Sequence, residues 1–263
     1  MPDDQLLRFL APLAEHPRRS AVVVDFDGTL APVVDDPTRA RALPASEQVL
    51  ARLAASLGRV AVVSGRPVSF LRDALRIDGL ILAGQYGVER LQGDVVVTDP
   101  RAQASAEAVE TVAREAETAL PGLLVERKNG IAVTLHWRTA PELEADAMAL
   151  GVRLAERYGL AGQPGRLALE LRPPLDLDKG TVVRELARGC HAALMAGDDL
   201  GDLAAFSSIS GLVDEGECRY GLRVAVRSPE TPPAMLAASD HQVDGPAGLA
   251  GLLGVLADLV ESS

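Results

Sequence analysis

Aromatic side chains make up only 3% of this 263-residue chain. With 48% of its residues hydrophobic, the chain must build its core from Val, Leu and Ala. The two cysteines, Cys190 and Cys218, have neither metal-ligand spacing nor a disulfide framework around them. They are expected to pack as small apolar residues in a reducing compartment. Positive charge is also in deficit: 26 Lys and Arg stand against 37 Asp and Glu, a formal net charge of −11. Phosphate backbones call for basic patches, so nucleic acid is not an expected partner. The same charge would not attract a small anion, which must be caught by a local cationic cluster and a metal. No apolar run approaches the ~20 residues of a membrane span. The start, Met1-Pro2-Asp3-Asp4, is acidic where a secretory signal is basic. A cytoplasmic location without membrane attachment is the expectation. No internal repeat or low-complexity tract is evident.

What is present is concentrated at the ends of apolar runs. Ala21-Val22-Val23-Val24 leads into Asp25-Phe26-Asp27-Gly28-Thr29. Two carboxylates, two residues apart, thus stand at the carboxyl end of a buried parallel strand, where open α/β sheets bind ligands. Gly28 permits a sharp turn and close approach of the backbone, and the Thr29 hydroxyl is placed to hold an oxyanion. One Asp attacking phosphorus while the other manages protons is the chemistry of an aspartyl-phosphate. An acidic βα turn without function is the plainer reading of the pentapeptide alone.

Three more segments follow in order. Ser64-Gly65-Arg66 ends the run Val60-Ala61-Val62-Val63, and a small hydroxyl beside exposed amides suits a phosphate oxygen. Lys179, in Leu177-Asp178-Lys179-Gly180, precedes a helical stretch and supplies a cation. Gly197-Asp198-Asp199 closes Ala192–Ala196, with Asp202 one helical turn on. Carboxylates clustered at a strand end suit a hard, oxygen-seeking cation such as Mg²⁺.

The remaining pattern gives the organisation. Helical spacing covers 5–15, then strands and helices alternate: 21–25, 46–57, 59–63, 67–75 and 79–83, implying right-handed βαβ crossovers. From about 88 a hairpin (88–91 and 95–97) is expected, then a helix over 101–119 and two strands at 123–128 and 131–137. Asn129-Gly130 between those strands is a strong turn signal. A helix over 141–158 and a strand at 167–172 follow. Alternation resumes with 179–189 (helix), 192–197 and 222–226 (strands) and 246–260 (helix). The expected fold is α/β: a doubly wound parallel sheet built from 1–89 and 173–263, with a smaller α+β cap, 90–172, inserted. Pro173-Pro174 and Gly84–Gly87 are the expected hinges.

Alternation in the cap strands opposes Val125 to Glu126 and Lys128, and Val133, Leu135 and Trp137 to Thr134, His136 and Arg138. It likewise opposes Leu167, Leu169 and Leu171 to Glu170 and Arg172. Spacing alone reads as an amphipathic sheet with its polar face to water. A cap closing over catalytic strand ends would turn that face toward a ligand, and its mixed donors and acceptors suit a polyol.

The four segments together resemble the haloacid dehalogenase superfamily of phosphatases, with its Rossmann-like core. Asp25 through Pro32, Ser64-Gly65-Arg66, Gly84 to Glu89 and Glu170-Leu171-Arg172-Pro173 resemble most closely the trehalose-6-phosphate phosphatases. That resemblance runs from about residue 20 to the end. It implies Asp25 as nucleophile, Asp27 as acid and base, and Ser64 and Lys179 as clamps on the phosphoryl group. It also implies Mg²⁺ on the Asp25 carboxylate, the Asp27 carbonyl and Asp198, with Asp199 or Asp202 in support. Gly28, Thr29, Gly65 and Arg66 would line the phosphate, and Glu126, Lys128, His136, Arg138, Glu170 and Arg172 the sugar. The substrate implied is trehalose 6-phosphate, the protein a monomer, and docking of a synthase partner stays open. Another phosphorylated disaccharide, pseudo-disaccharide or glycoside remains an alternative, as do a sugar-phosphate mutase and a non-catalytic regulatory relative. The chain departs from the family at Gly84-Gln85-Tyr86-Gly87, where Tyr86 replaces a usual His, and at Gly201, Leu203 and Ala204. His16, His191 and His241 match no motif and are read as surface or packing residues.

Overall fold

The computed structural model describes residues 4–34, 36–128, 130–165 and 167–262. The chain forms two compact units: Met1–Val96 with Leu177–Ser263, and Val97–Asp176. Its elements in order are α1 (Asp4–Glu15), β1 (Ser20–Val24), α2 (Pro44–Ser56), β2 (Arg59–Val63), α3 (Val68–Ala74) and β3 (Ile81–Gly84). Next come β4 (Glu89–Gln92), β5 (Val95–Thr98), α4 (Pro100–Gln103), α5 (Ala106–Ala119), β6 (Leu124–Lys128) and β7 (Ala132–His136). Then follow α6 (Glu144–Tyr158), β8 (Ala161–Gly165), β9 (Ala168–Arg172), α7 (Lys179–Ala187) and β10 (Ala192–Gly197). The last are α8 (Leu203–Asp214), β11 (Tyr220–Arg227), α9 (Pro233–Ala238), β12 (His241–Asp244) and α10 (Gly245–Glu261).

In the larger unit the strand order is β12-β11-β10-β1-β2-β3-β4-β5. The first six of these strands run parallel, and β4 pairs antiparallel to β3. The Val-rich runs are continuous because both faces are covered. Val22, Val24, Val60, Val62 and Leu194 pack with Leu10, Leu13, Leu50, Leu53 and Leu253 from α1, α2 and α10. Val23, Ala61, Val63 and Met195 pack on the other face with Val183, Leu186, Phe206 and Ile209 from α7 and α8. Cys190 and Cys218 are free and buried in this second cluster. The hairpin β4–β5 continues the large sheet, so the division between units falls between Val96 and Val97, beyond the residue 90 expected from pattern.

The smaller unit is an antiparallel sheet, order β6-β7-β9-β8. Val133, Leu135, Leu169 and Leu171 on one face pack with Val109, Val112, Ala116, Leu150 and Leu154 from α5 and α6. The expected helix over 101–119 is two helices, because Asp99 caps the short α4 and a tight turn closes at Ser105 before α5 begins. The Asn129 half of the expected hairpin turn lies outside the described residues.

Four elements were not expected. β8 reads Ala-Gly-Gln-Pro-Gly, a loop composition, and is tolerated because it is an edge strand, where Pro costs little. β12 is a short edge strand of similar weakness. α8 carries serines and Gly211 inside it, poor helix formers. Burial of Ala205, Phe206, Ile209 and Leu212 along one stripe overrides that propensity. α9 spans only six residues, too short for a periodic signal. Among the described residues no helix is long and apolar enough to cross a membrane.

Candidate active site

The carboxyl ends of β1 and β10 lie side by side in register, Val24 opposite Ala196. The Asp25 amide donates to the Ala196 carbonyl at 3.0 Å, which carries that pairing one residue beyond the strand. Asp25 follows β1 directly and Asp198 follows β10, so chain topology alone brings the two carboxylates together. Gly28, at φ +78°, turns the backbone back beneath them. A Cβ there would stand 2.1 Å from Asp198 Oδ2, so only glycine fits. The Thr29 hydroxyl donates to Asp198 Oδ1 at 3.2 Å and fixes that side chain.

Lys179, the first residue of α7, is buried and bridges two carboxylates. Its Nζ donates to Asp25 Oδ1 and to Asp202 Oδ1, both at 2.7 Å. Asp202 is fully buried, and its other oxygen accepts from the amides of Asp198 and Asp199 at 3.1 and 3.3 Å. Burial drives the Asp25 carboxyl upward, against the pull of Lys179, and drives Asp202 upward too. Burial works against the Lys179 ammonium, but Asp202 and Asp25 outweigh it and hold the amine charged. Burial, with Asp202 and Asp199 beside it, pushes the Asp198 carboxyl up to about 7. Several acids confined with one cation favour the uptake of a proton or of a further cation.

Oxygens of Asp25, Asp198 and Asp202 all lie within 4.8 Å of one another, a donor set that fits a hard divalent cation. The supporting residues differ in role. Both Asp202 oxygens are taken by Lys179 and backbone amides, so Asp202 positions the lysine and the loop. Asp199 does not join the cluster: its carboxylate accepts from the Gly201 amide at 2.8 Å and caps its own turn.

Asp27 pairs with Arg66. Arg66 grips it with two parallel hydrogen bonds, Nε to Oδ2 at 2.7 Å and Nη2 to Oδ1 at 2.8 Å. The guanidinium also lies over the Phe70 ring, 4.7 Å from its centroid. Sequence reasoning assigned Arg66 to phosphate; the structure places it on Asp27. Ser64 is buried, and its hydroxyl accepts from the Arg66 amide at 3.2 Å. Gly65 has the Tyr86 ring 2.8 Å from where a Cβ would stand.

The Gly84–Glu89 segment braces this loop, a role sequence reasoning did not give it. The Gln85 amide donates to the Arg66 carbonyl and the Tyr86 amide to the Ser64 carbonyl. Gln85 and Tyr86 both take left-handed backbone, φ 51° and 58°, a strain that non-glycine residues hold only where surroundings enforce it. The buried Glu89 accepts from the Val68 amide at 2.6 Å at the start of α3.

In the smaller unit, register aligns Glu126, Thr134, Glu170 and Gln163 in a row across β6, β7, β9 and β8. The Lys128 ammonium donates to Glu170, whose carboxylate also accepts from the Thr134 hydroxyl at 3.4 Å. His136 Nε2 lies 2.8 Å from Glu126 Oε2. Arg138 is half-buried in the turn after β7, and Arg172 half-buried at the end of β9. Gln163 was missed because its strand was missed. Its Oε1 is buried without a hydrogen-bond partner, an acceptor left over on this polar row.

The chain is similar to known proteins over most of its length. The family model for trehalose-phosphatase matches residues 23–230. The trehalose-phosphate phosphatase of Mycobacterium avium (strain 104) is 37% identical over 207 residues, 74% of this chain and 52% of that protein. The chain therefore spans about half the length of this curated relative. The C-terminal domain of Candida albicans trehalose-6-phosphate phosphatase shares the fold at a TM-score of 0.78 and 22% identity, covering 98% of this chain and 99% of that one. The C-terminal domain of a C. albicans trehalose synthase regulatory protein shares it at a TM-score of 0.63 and 16% identity, covering 90% of this chain and 93% of that one. With residues 23–230 matched and the strand-end carboxylates assembled, the chain belongs to the trehalose-phosphatase family.

Proposed function

We propose that the protein hydrolyses trehalose 6-phosphate to trehalose and phosphate, and that Asp25 is the nucleophile. The observation that carries this reading is the buried Asp25–Lys179–Asp202 chain beside Asp198. A binding module has no need of a buried carboxyl held at 2.7 Å from a buried ammonium. Support for the substrate comes from the relatives named above and from the polar row of the smaller unit. Glu126, Glu170 and Gln163 offer acceptors, and Lys128, His136 and Arg138 offer donors, to sugar hydroxyls.

Asp25 and Asp198 would hold Mg²⁺ together with the Asp27 carbonyl. The ion supplies charge neutralisation for the phosphoryl oxygens, the largest part of phosphoryl-transfer catalysis. An Asp25 oxygen forms a bond to phosphorus as the bond from phosphorus to the sugar oxygen breaks. The Asp27 carboxyl gives its proton to that oxygen. Water then attacks the aspartyl-phosphate, Asp27 takes its proton, and phosphate leaves with Asp25 restored. Ser64 and Lys179 hold the phosphoryl oxygens throughout. The Arg66 fork takes one acceptor site on each Asp27 oxygen and leaves the others for the proton that Asp27 gives and takes back.

The direct test is phosphate release from a panel of sugar phosphates in Mg²⁺, with Asp25→Asn as control. Preference for trehalose 6-phosphate, lost in the variant, is expected. Release from another glycoside phosphate would keep the chemistry and change the substrate. No release from any member would overturn the hydrolase reading in favour of a regulatory one, a role the fold-sharing C. albicans regulatory protein makes concrete.

A further inference from the structure

The larger unit carries a second group of metal-ligating side chains at the opposite end of its sheet. Glu15 ends α1, His16 follows it, and His191 immediately precedes β10. One ligand atom from each lies within 4.8 Å of the others. His191 Nε2 stands 3.2 Å from Glu15 Oε2, and the two imidazoles meet edge to face with ring centroids 4.3 Å apart. Two ligands bound tetrahedrally at zinc's usual distances are about 3.3 Å apart, so the Glu15–His191 separation already matches one edge of a coordination shell.

The backbone holds the two histidines in place independently of their rings. The Arg19 amide donates to the His16 carbonyl at 2.9 Å, and the His191 amide donates to the Arg19 carbonyl at 2.7 Å. The Ser20 hydroxyl also donates to the His16 carbonyl, at 3.0 Å. A single turn, residues 17–19, thus ties both imidazoles to the starts of β1 and β10. The Glu15–His191 contact and the edge-to-face imidazole pair together bring three potential ligands to one point. Asp25 and Asp198 follow the far ends of the same strands, and five extended residues span roughly 15–20 Å. The two groups are therefore separate.

We propose that Glu15, His16 and His191 form a second cation site, selective for a borderline divalent ion such as Zn²⁺. Imidazole nitrogens favour Zn²⁺ over Mg²⁺, which seeks oxygen alone. Three protein ligands on an accessible surface leave the remaining position to water. A bound ion would clip the end of α1 to the start of β10. The inference is independent of the phosphatase reading.

The test is calorimetric titration of Zn²⁺ into the full chain, with saturating Mg²⁺ to occupy the carboxylate site. It is paired with imidazole NMR signals of His16 and His191. The expected result is one equivalent of Zn²⁺ bound, both imidazoles shifted, and a rise in unfolding midpoint. The exposed substitutions His16→Ala and Glu15→Gln should weaken or abolish that binding, with phosphate release in Mg²⁺ unchanged. Absence of Zn²⁺ binding in the unaltered protein would overturn the proposal. So would His16→Ala binding Zn²⁺ with the same stoichiometry and affinity, or Zn²⁺ leaving the His16 and His191 signals unmoved.

Discussion

Arg66 holds both carboxylate oxygens of Asp27 in a planar fork, at 2.7 and 2.8 Å, while its own plane rests on the Phe70 ring. The residue proposed to move protons is thus oriented by a cation that has its own mechanical support. Arg66 acts here as a positioning residue, through Asp27.

If so, Arg66→Ala lowers kcat about tenfold to a hundredfold, less than the ~10²–10⁴ lost with the general acid and base itself in Asp27→Asn. Arg66→Lys falls between, since a point charge cannot reproduce two parallel bonds. Steady-state kinetics checks this: kcat should fall with KM little changed, and Arg66→Lys should recover part of the loss. An unchanged kcat would assign Arg66 a structural role only.

Lys179→Met removes the cation between two buried carboxylates. A buried ion pair stripped of one partner costs about 3–5 kcal/mol, so denaturant unfolding near neutral pH should show a loss of that order, together with loss of turnover. Adding Asp202→Asn to the variant should recover part of the stability and none of the activity, because Asp25 still lacks its cation.

The fold was legible from the sequence because its strands are pure apolar runs bounded by Gly and Asp, as in Val22-Val23-Val24-Asp25 and Leu194-Met195-Ala196-Gly197. The edge strands β8 and β12 were not. Gly162-Gln163-Pro164 carries no strand pattern, and only pairing with β9 makes it one. Within the site, residue types pointed to the cation and phosphoryl chemistry, but partners did not follow from them. Nothing local tells that Arg66 turns to Asp27, or that Asp199 caps its own turn while Asp202, three residues on, grips Lys179. Those outcomes depend on contacts between segments distant in the chain, such as Arg66 with Asp27 and Lys179 with Asp25.

Mg²⁺ binding should depend on pH through Asp198, whose carboxyl is pushed up to about 7 by burial and by Asp202 and Asp199. An unfolded Asp titrates near 3.9, so the metal-free folded chain binds the extra proton and loses this contribution to stability as pH rises from about 4 to 7. A dication binds the ionised form. Its affinity should climb with pH through about 7, by as much as tenfold per pH unit for the proton on Asp198. Mg²⁺ titrations from about pH 5.5 to 8.5 read this directly; a flat profile would contradict it.

Glu126→Gln should act on the sugar and leave phosphoryl transfer intact. A hydrogen bond to a charged group is worth about 1.5–3 kcal/mol, so KM for trehalose 6-phosphate should rise about tenfold to a hundredfold with kcat little changed. A fall in kcat at constant KM would place Glu126 outside substrate binding.

The most direct test of the account is to ask whether Asp25 itself carries the phosphoryl group. Trehalose 6-phosphate labelled in its phosphate is mixed with excess enzyme in Mg²⁺, quenched in acid within one turnover, and the labelled peptide mapped. The account predicts label on the peptide containing Asp25, released by hydroxylamine and absent from Asp25→Asn. Trehalose 6-phosphate hydrolysis by Asp25→Asn at the unaltered rate, with no label on that peptide, would contradict it.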